Sequence, residues 1–300
     1  MMEIRKIRLS ASDKVFYAVD YIYLALCGII VLIPLINVLA QAFSDPQSVI
    51  SGNVFLWPHH PTLQTFKIIL GNKFVLTGYL NTFFYMSAGT CINLVLTILC
   101  AYPLSRAEFA GRNIFMIIFA FTMLFSGGMI PTYLVVRNLG LIDTRWAMLL
   151  PGAMVVWNMI LARTFFQSNI PKEMYESAEL DGAGDTTILL KIVLPLSSSI
   201  IAVLTLFYAI GHWNSYFDAM LYLRSQDLFN IQLILRIAIS SIKQLMNQSG
   251  GNMAVMQQAL AYGEASKYVI IVISMLPVLI IYPFVQRHFV KGIMIGAIKG

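Results

Sequence analysis

Glu173, Glu176, Glu179, Asp181 and Asp185 fall in one short stretch, EMYESAELDGAGDTTILLKIVLP at 173–195, of a chain with 14 acidic residues in all. Carboxylates at that density suit docking into a basic cleft on a soluble partner. They are equally compatible with an ordinary solvated loop. Enzymatic chemistry has little support: no paired carboxylates, zinc-ligand spacing or nucleophile motif occurs. No G-x-x-x-x-G-K-[ST] stretch occurs either, and DGAGDTT lacks the lysine that a phosphate-cradling loop needs. If the chain works with ATP, another chain must bind it.

A second group could recognise a polar solute. HWNSYFDAM supplies His212, Trp213, Asn214, Tyr216 and Asp218. Sugar sites often pair aromatic faces with hydrogen-bonding side chains. Trp213 and Tyr216 are three apart, so on a continuous helix they share a face. The alternative is an aromatic belt at the membrane interface. Asn93 and Asn158 lie inside apolar runs and must face other helices or a cavity rather than lipid. Helix–helix hydrogen bonding is their other reading. His59, His60, His212 and His288 show no metal-ligand spacing, and the His59–His60 pair between two prolines reads as an exposed loop. Cys27, Cys91 and Cys100 form no C-x-x-C pair and read as small residues of membrane helices, so no metal site is expected.

The elements that position these residues are apolar. The chain of 300 residues is 58% hydrophobic and 11% charged, against roughly 25% charged in soluble domains. That composition indicates a membrane protein, and its apolar segments of helix length make an all-α fold the expectation. The net charge of +6 comes from scattered basic residues, which argues against nucleic acid as a partner. Six segments meet the roughly 20-residue requirement for crossing a bilayer: 16–40, 80–104, 113–136, 146–162, 196–221 and 268–286. The apolar segment 228–235 is too short and is assigned to a loop, as a surface helix or a plug. Arg5, Lys6, Arg8 and Lys14 precede the first run. The uncharged run 21–40 exceeds the roughly 7–15 residues of a signal-peptide core, so a retained first helix is expected. Lysine and arginine density favours both termini in the cytoplasm.

The third segment contains SGGMIP, 126–131, where Gly127, Gly128 and Pro131 weaken a helix. Broken helices within a membrane often mark transport paths, although a plain kink is the alternative. Pro151 and Gly152 in the fourth segment, and Pro277 and Pro283 in the sixth, read as packing kinks. The acidic stretch itself reads as helix, turn and helix. Pro171 suits a first helical position, where no N–H is needed. Glu173 and Glu176 favour the positive end of the helix dipole. Gly182 is a natural stop and Asp185 a cap for the next helix. Ile188, Leu189, Ile192 and Val193 form one stripe, and Pro195 ends or kinks that helix.

Glu176-Ser177-Ala178, then Gly182, then Ile192-x-Leu194-Pro195, keep every gap of the EAA loop of ABC-importer permeases, which the stretch therefore resembles. Ser177 replaces the first alanine of that pattern, and Asp181-Gly182-Ala183 looks like the family's usual DGA. The segments 81–106, 213–223 and 286–300 resemble the carbohydrate-uptake, maltose-permease-like branch. FSGGMIPTYLVVRNLGLIDT resembles a subgroup that imports oligosaccharides or acidic sugars.

The resemblance implies a non-enzymatic permease subunit that forms half of a pathway for a sugar or oligosaccharide. It implies a second homologous permease, two copies of a cytosolic ATPase carrying the ATP and Mg, and an extracytoplasmic binding protein. It implies the bacterial inner membrane, with residues 1–15 a cytoplasmic arm, 16–290 the permease domain and 291–300 a cytoplasmic tail. Glu176, Ser177, Ala178, Asp181, Gly182, Ala183, Ile192, Leu194 and Pro195 in the loop at about 164–195 would couple to the ATPase, Glu176 meeting a basic partner residue. Asn93, Gly127, Gly128, Asn158, Trp213, Asn214 and Tyr216 are the pathway candidates. Another polar solute is a second possibility. An ion-coupled transporter is a third, disfavoured by the few charges within the spans.

Overall fold

Hydrophobic segments this long fold as helices because lipid offers no partners for free backbone groups. The computed structural model describes residues 10–237, 257, 260–277 and 279, and everything regular in them is helical. The helices α1 (Ala11–Ala42) and α4 (Lys73–Ser105) are each long and apolar enough to cross a bilayer. Two bent pairs pass the same requirement together. These are α5 (Arg112–Leu124) with α6 (Met129–Asn138), bent by 111°, and the helix 185–196 with Ser198–Trp213, bent by 82°. The fold is thus an all-α membrane fold with two to four candidate spans among the described residues. The tail 286–300, Pro283 and residues 1–9 of the basic arm lie outside the described residues.

The chain divides into two compact units, Met1–Ile69 with Ala238–Ile273, and Leu70–Ile237 with Ser274–Gly300. In the first unit, the apolar side chains of α1 from Val15 to Ile36 stand exposed, and burial begins only at its last turns with Ala40 and Ala42. Its last turns fasten a loop: Asn37 donates to the Phe55 carbonyl at 2.6 Å and Gln41 to that of Val54 at 3.3 Å. Asp45 caps α2 (Pro46–Ile50) by accepting from the Gln47 and Ser48 amides. A small core of Ala40, Val49 and Val54 packs against Ala265 of the helix 260–277. His59 and His60 are exposed in the loop, as the flanking prolines suggest. The short helix α3 (Gln64–Leu70) leads to α4.

The second unit is organised by α4. Asn81, Tyr85, Asn93, Thr97 and Ala101 recur along one face at helical spacing, and all are buried. Their polar groups find partners. Asn81 donates to the Asp227 and Phe229 carbonyls, at 2.6 and 3.0 Å, and Tyr85 to the Leu228 carbonyl at 2.8 Å. The Ile231 amide donates to Thr82 Oγ1 at 2.8 Å. The segment 228–235 is therefore not a surface element. A 3-10 turn, Gln226–Leu228, leads into a helix at 231–237 with Ile231 and Leu233 buried. Gly78 lets it approach: a Cβ there would lie 2.4 Å from Ile234 Cδ1.

Hydropathy reads two spans as continuous that the backbone breaks. In place of the fourth, α7 (Trp146–Leu149) and α8 (Val156–Asn169) are separated by a turn around Gly152, whose φ is +91°. Pro151 and Gly152 are thus a break rather than a kink. The third is broken at the expected place, with Gly128 at φ +88° capping α6. Beyond the hairpin of α9 (Lys172–Leu180) and α10 (Asp185–Ile188), a π-helical turn Leu189–Val193 and α11 (Leu194–Leu196) lead into α12 (Ser198–Trp213). Pro195 has no N–H to give Lys191, which accounts for the widened turn and the bend after it. The chain breaks again at Asn214–Ser215 before α13 (Tyr216–Tyr222). Apolar side chains such as Ile114, Ile117 and Leu124 on α5 are exposed, surface suited to lipid or other chains.

Candidate functional site

The acidic stretch folds as helix, turn, helix. Pro171 sits at the N-cap of α9, one place before its expected position. Gly182 ends the helix with φ +78°, and the Ala183 amide reaches back to the Ala178 carbonyl at 2.9 Å. A Cβ on Gly182 would meet none of the described residues within 4 Å, its chain neighbours aside. The described residues therefore do not crowd this glycine. Gly184, not Asp185, is at the N-cap of α10, and Asp185 is its first helical residue. Ile188, Leu189 and Val193 are buried and Ile192 is half-buried, so the stripe faces the core.

The two faces of α9 differ. Ala178 is buried and Tyr175 half-buried, whereas Glu173, Glu176, Ser177, Leu180, Asp181 and Gly182 are exposed. Leu180 is 89% exposed, the most open apolar residue of the hairpin. Ala183 and Leu194 are half-buried and Pro195 is exposed. The surface presented outward is thus three carboxylates, a leucine and a glycine turn.

The inner face meets the end of α4. The Arg106 guanidinium lies 4.1 Å from the Tyr175 ring centroid and pairs with Glu179 and, at 3.3 Å, with Glu108. Its side chain is 13% exposed. Burial alone would lower the Arg106 pKa, but the Glu179 hydrogen bond and the Glu108 charge outweigh it and the net shift is upward. The arginine is held charged. One turn earlier, the Tyr102 hydroxyl donates to Asp185 at 3.4 Å. From the other side Arg163 and Gln167 of α8 donate to the Leu104 and Ser105 carbonyls, at 2.9 and 3.3 Å, capping α4. Between the α4 end and the hairpin lies a cleft of about 660 Å³ lined by Leu99, Tyr102, Arg106, Phe109, Asp185 and Leu189.

The pathway candidates scatter. Asn93 sits in the buried seam of α4, where it accepts from His212 Nε2 at 2.7 Å and donates to the Gly152 carbonyl at 3.1 Å. Asn158 is buried. Gly127 and Gly128 are exposed at the α5–α6 break. Trp213 and Tyr216 do not share a helix face, because the chain breaks between them. Trp213 is buried against Phe83, ring centroids 5.7 Å apart, while Tyr216 and Asn214 are exposed. Glu179 stands out in the sequence as one of the clustered acids, but its pairing with Arg106, and the Tyr175 ring beneath that arginine, do not: Arg106 and Glu179 are 73 residues apart, and no local pattern pairs them. Leu180 was readable as an apolar residue amid acids. His212 stood in the aromatic–polar group, but its partner Asn93 comes from another helix.

No family model matches the chain. Relatives in Bacillus subtilis cover it almost entirely. Protein LplC is 37% identical over 100% of both chains. A polygalacturonan/rhamnogalacturonan transport system permease protein, YtcP, is 39% identical over 96% of this chain and all of its own. Among solved structures, a bacterial ABC transporter involved in the import of the acidic polysaccharide alginate matches with a TM-score of 0.84 and 36% identity, covering 95% of this chain and 100% of its own.

Proposed function

The chain belongs to the ABC-importer permease family, in its carbohydrate-uptake branch, and on that premise we propose that it forms half of the membrane path for an acidic oligosaccharide. It is a multi-pass transport subunit and not an enzyme. The acidic substrate class is supported by the relatives named for polygalacturonan and alginate. A second, homologous permease completes the path. An extracytoplasmic binding protein delivers the solute, and two copies of a cytosolic ATPase carry ATP and Mg. Six spans place both termini in the cytoplasm of a bacterium, with 1–15 as the arm, 16–290 as the permease domain and 291–300 as the tail.

The observation that carries the mechanism is the hairpin α9–α10, whose turn at Gly182 presents Glu176, Leu180 and Asp181 outward. An apolar anchor ringed by carboxylates suits a cleft with an apolar floor and basic rim. Glu176 meets a basic residue of the ATPase there. Ser177, Ala178 and Ala183 are small enough to keep the backbone close. Ile192, Leu194 and Pro195 carry the displacement into α12. Asn93, Asn158 and the break at Gly127–Gly128 belong to the path or its helix contacts, and Asn214 and Tyr216 to its exposed end.

The test is purification of the tagged chain from native membranes in mild detergent, beside the Gly182→Asp variant. The expected result is co-purification of an ATPase and a second permease with the wild type, and loss of the ATPase with the variant. Isolation of the chain alone under several mild conditions would sink the importer assembly. Uptake of labelled galacturonate oligomers by the reconstituted complex, against neutral oligomers of the same length, tests the substrate class. Equal or preferred uptake of the neutral set overturns it.

A further inference from the structure

The last turn of α4 grips both arms of the hairpin. Tyr102 stands in the last turn of α4, and Arg106 is the capping residue just beyond it. Tyr102 reaches Asp185 on α10, and Arg106 reaches Tyr175 and Glu179 on α9, which are themselves four apart. Glu179 is half-exposed, and an ion pair between two mobile surface chains would contribute little. Arg106 differs from that case. Its guanidinium is largely buried, stacked on the Tyr175 ring and paired with Glu108, so these contacts hold it in place for Glu179. The same α4 end is capped by Arg163 and Gln167 of α8, the helix that leads into α9. The hairpin is thus tied to α4 by side chains as well as by the backbone through α8. Upward along α4 runs the buried seam that includes Asn93 and Asn81. A displacement of α9 has a stiff route into the helix that organises the unit.

We propose that Arg106 is a positioning residue for transport, a strut that makes the hairpin and α4 move as one body through Glu179 and Tyr175. The proposal rests on the reading of the hairpin as the ATPase dock. It assigns Arg106 and Glu179 to the inner face of α9 and leaves docking to the outer one.

The test uses the complete transporter in proteoliposomes, with both permeases, ATPase and binding protein. Uptake and ATP hydrolysis are measured in the same vesicles for the wild type, Arg106→Gln, Glu179→Gln and the charge exchange R106E/E179R. The expected result is that the ATPase co-purifies with every variant, while ATP hydrolysed per solute imported rises about tenfold in Arg106→Gln, within the usual range of coupling energies. The exchange should bring that ratio back toward the wild type. An unchanged ratio in Arg106→Gln overturns the proposal. So does loss of the ATPase together with uptake, which would make Arg106 a folding residue, and so does failure of the exchange to rescue. The docking reading fails by a different sign: Leu180→Cys, in the otherwise wild-type complex, giving no cross-link to the ATPase.

Discussion

His212 Nε2 donates to Asn93 Oδ1 across 2.7 Å, and the same Asn93 donates to the Gly152 carbonyl, so one buried side chain ties α4 to α12 and to the turn between α7 and α8. That turn needs the tie. Gly152 breaks the helix there, and a carbonyl freed in lipid must find a donor within the protein. The imidazole can approach only because Gly89 lacks a side chain: a Cβ would lie 2.3 Å from His212 Nε2. Gly89→Ala should therefore push the ring away and break the bond to Asn93. The expected destabilisation is about 1–3 kcal/mol, as for other overpacked sites. It is read as a lowered thermal unfolding midpoint of the purified complex. Adding His212→Ala removes the clash, so the double variant should lose less than the sum of the two singles. Simple additivity would mean that the ring and the glycine do not constrain each other.

Gly182 gives a graded test of the turn. Its φ of +78° strains a side chain, and no described residue crowds the space beside it. Asparagine tolerates the left-handed region better than most residues. Gly182→Asn should keep most uptake. Gly182→Val should cost roughly 1–2 kcal/mol in the turn alone and Gly182→Asp should abolish uptake while the chain remains in the membrane. The ranking is measured by uptake normalised to membrane-inserted protein. Full transport by Gly182→Asp would mean that nothing approaches the turn.

What the sequence discloses and what it hides divide by the range of the interaction. The hairpin is local: Pro171, Gly182 and Pro195 each act on neighbouring backbone, and the structure has them at the start, the turn and the bend. The long helices α1 and α4 follow from uninterrupted apolar runs. The breaks at Gly152 and at Asn214–Ser215 do not, because hydropathy sums composition and does not see a change in φ. The helix at 231–237 is hidden for another reason. Its first amide, that of Ile231, is satisfied by Thr82, 149 positions away, and the carbonyls of Asp227, Leu228 and Phe229 just before it are satisfied by Asn81 and Tyr85. Arg106 with Glu179 is the same kind of case.

Asp143 joins two segments at a single carboxylate. It accepts from the Arg224 and Ser225 amides at 2.8 Å each and from the Ser225 hydroxyl at 2.6 Å. The Ser225 hydroxyl and amide, and then the Arg224 amide, hold its pKa below the usual carboxylate value. A depressed folded pKa stabilises the fold fully above the unfolded value, about 3.9. That contribution is lost as pH falls through the lower folded value. The unfolding midpoint of the wild type should therefore exceed that of Asp143→Asn by a constant margin from neutral pH down to about 4, and the margin should close below that. A margin that already shrinks between pH 7 and 5 would point to another group.

Leu180 offers the most direct probe of the outer face of α9. It is 89% exposed, yet it sits between the buried Ala178 and the Gly182 turn, a place where an apolar side chain gains nothing within this chain. Burying a leucine against a partner is worth about 1.5–3 kcal/mol. Leu180→Asp forfeits that and carries a charge into an apolar floor, so ATPase retained per permease should fall by about tenfold or more. Leu180→Met keeps the volume and should keep the ATPase. Because Leu180 makes no buried contact in this chain, the unfolding midpoint of the isolated subunit should be unchanged in both. Equal ATPase retention in wild type and Leu180→Asp would remove the leucine from the docking surface and leave the carboxylates to explain it.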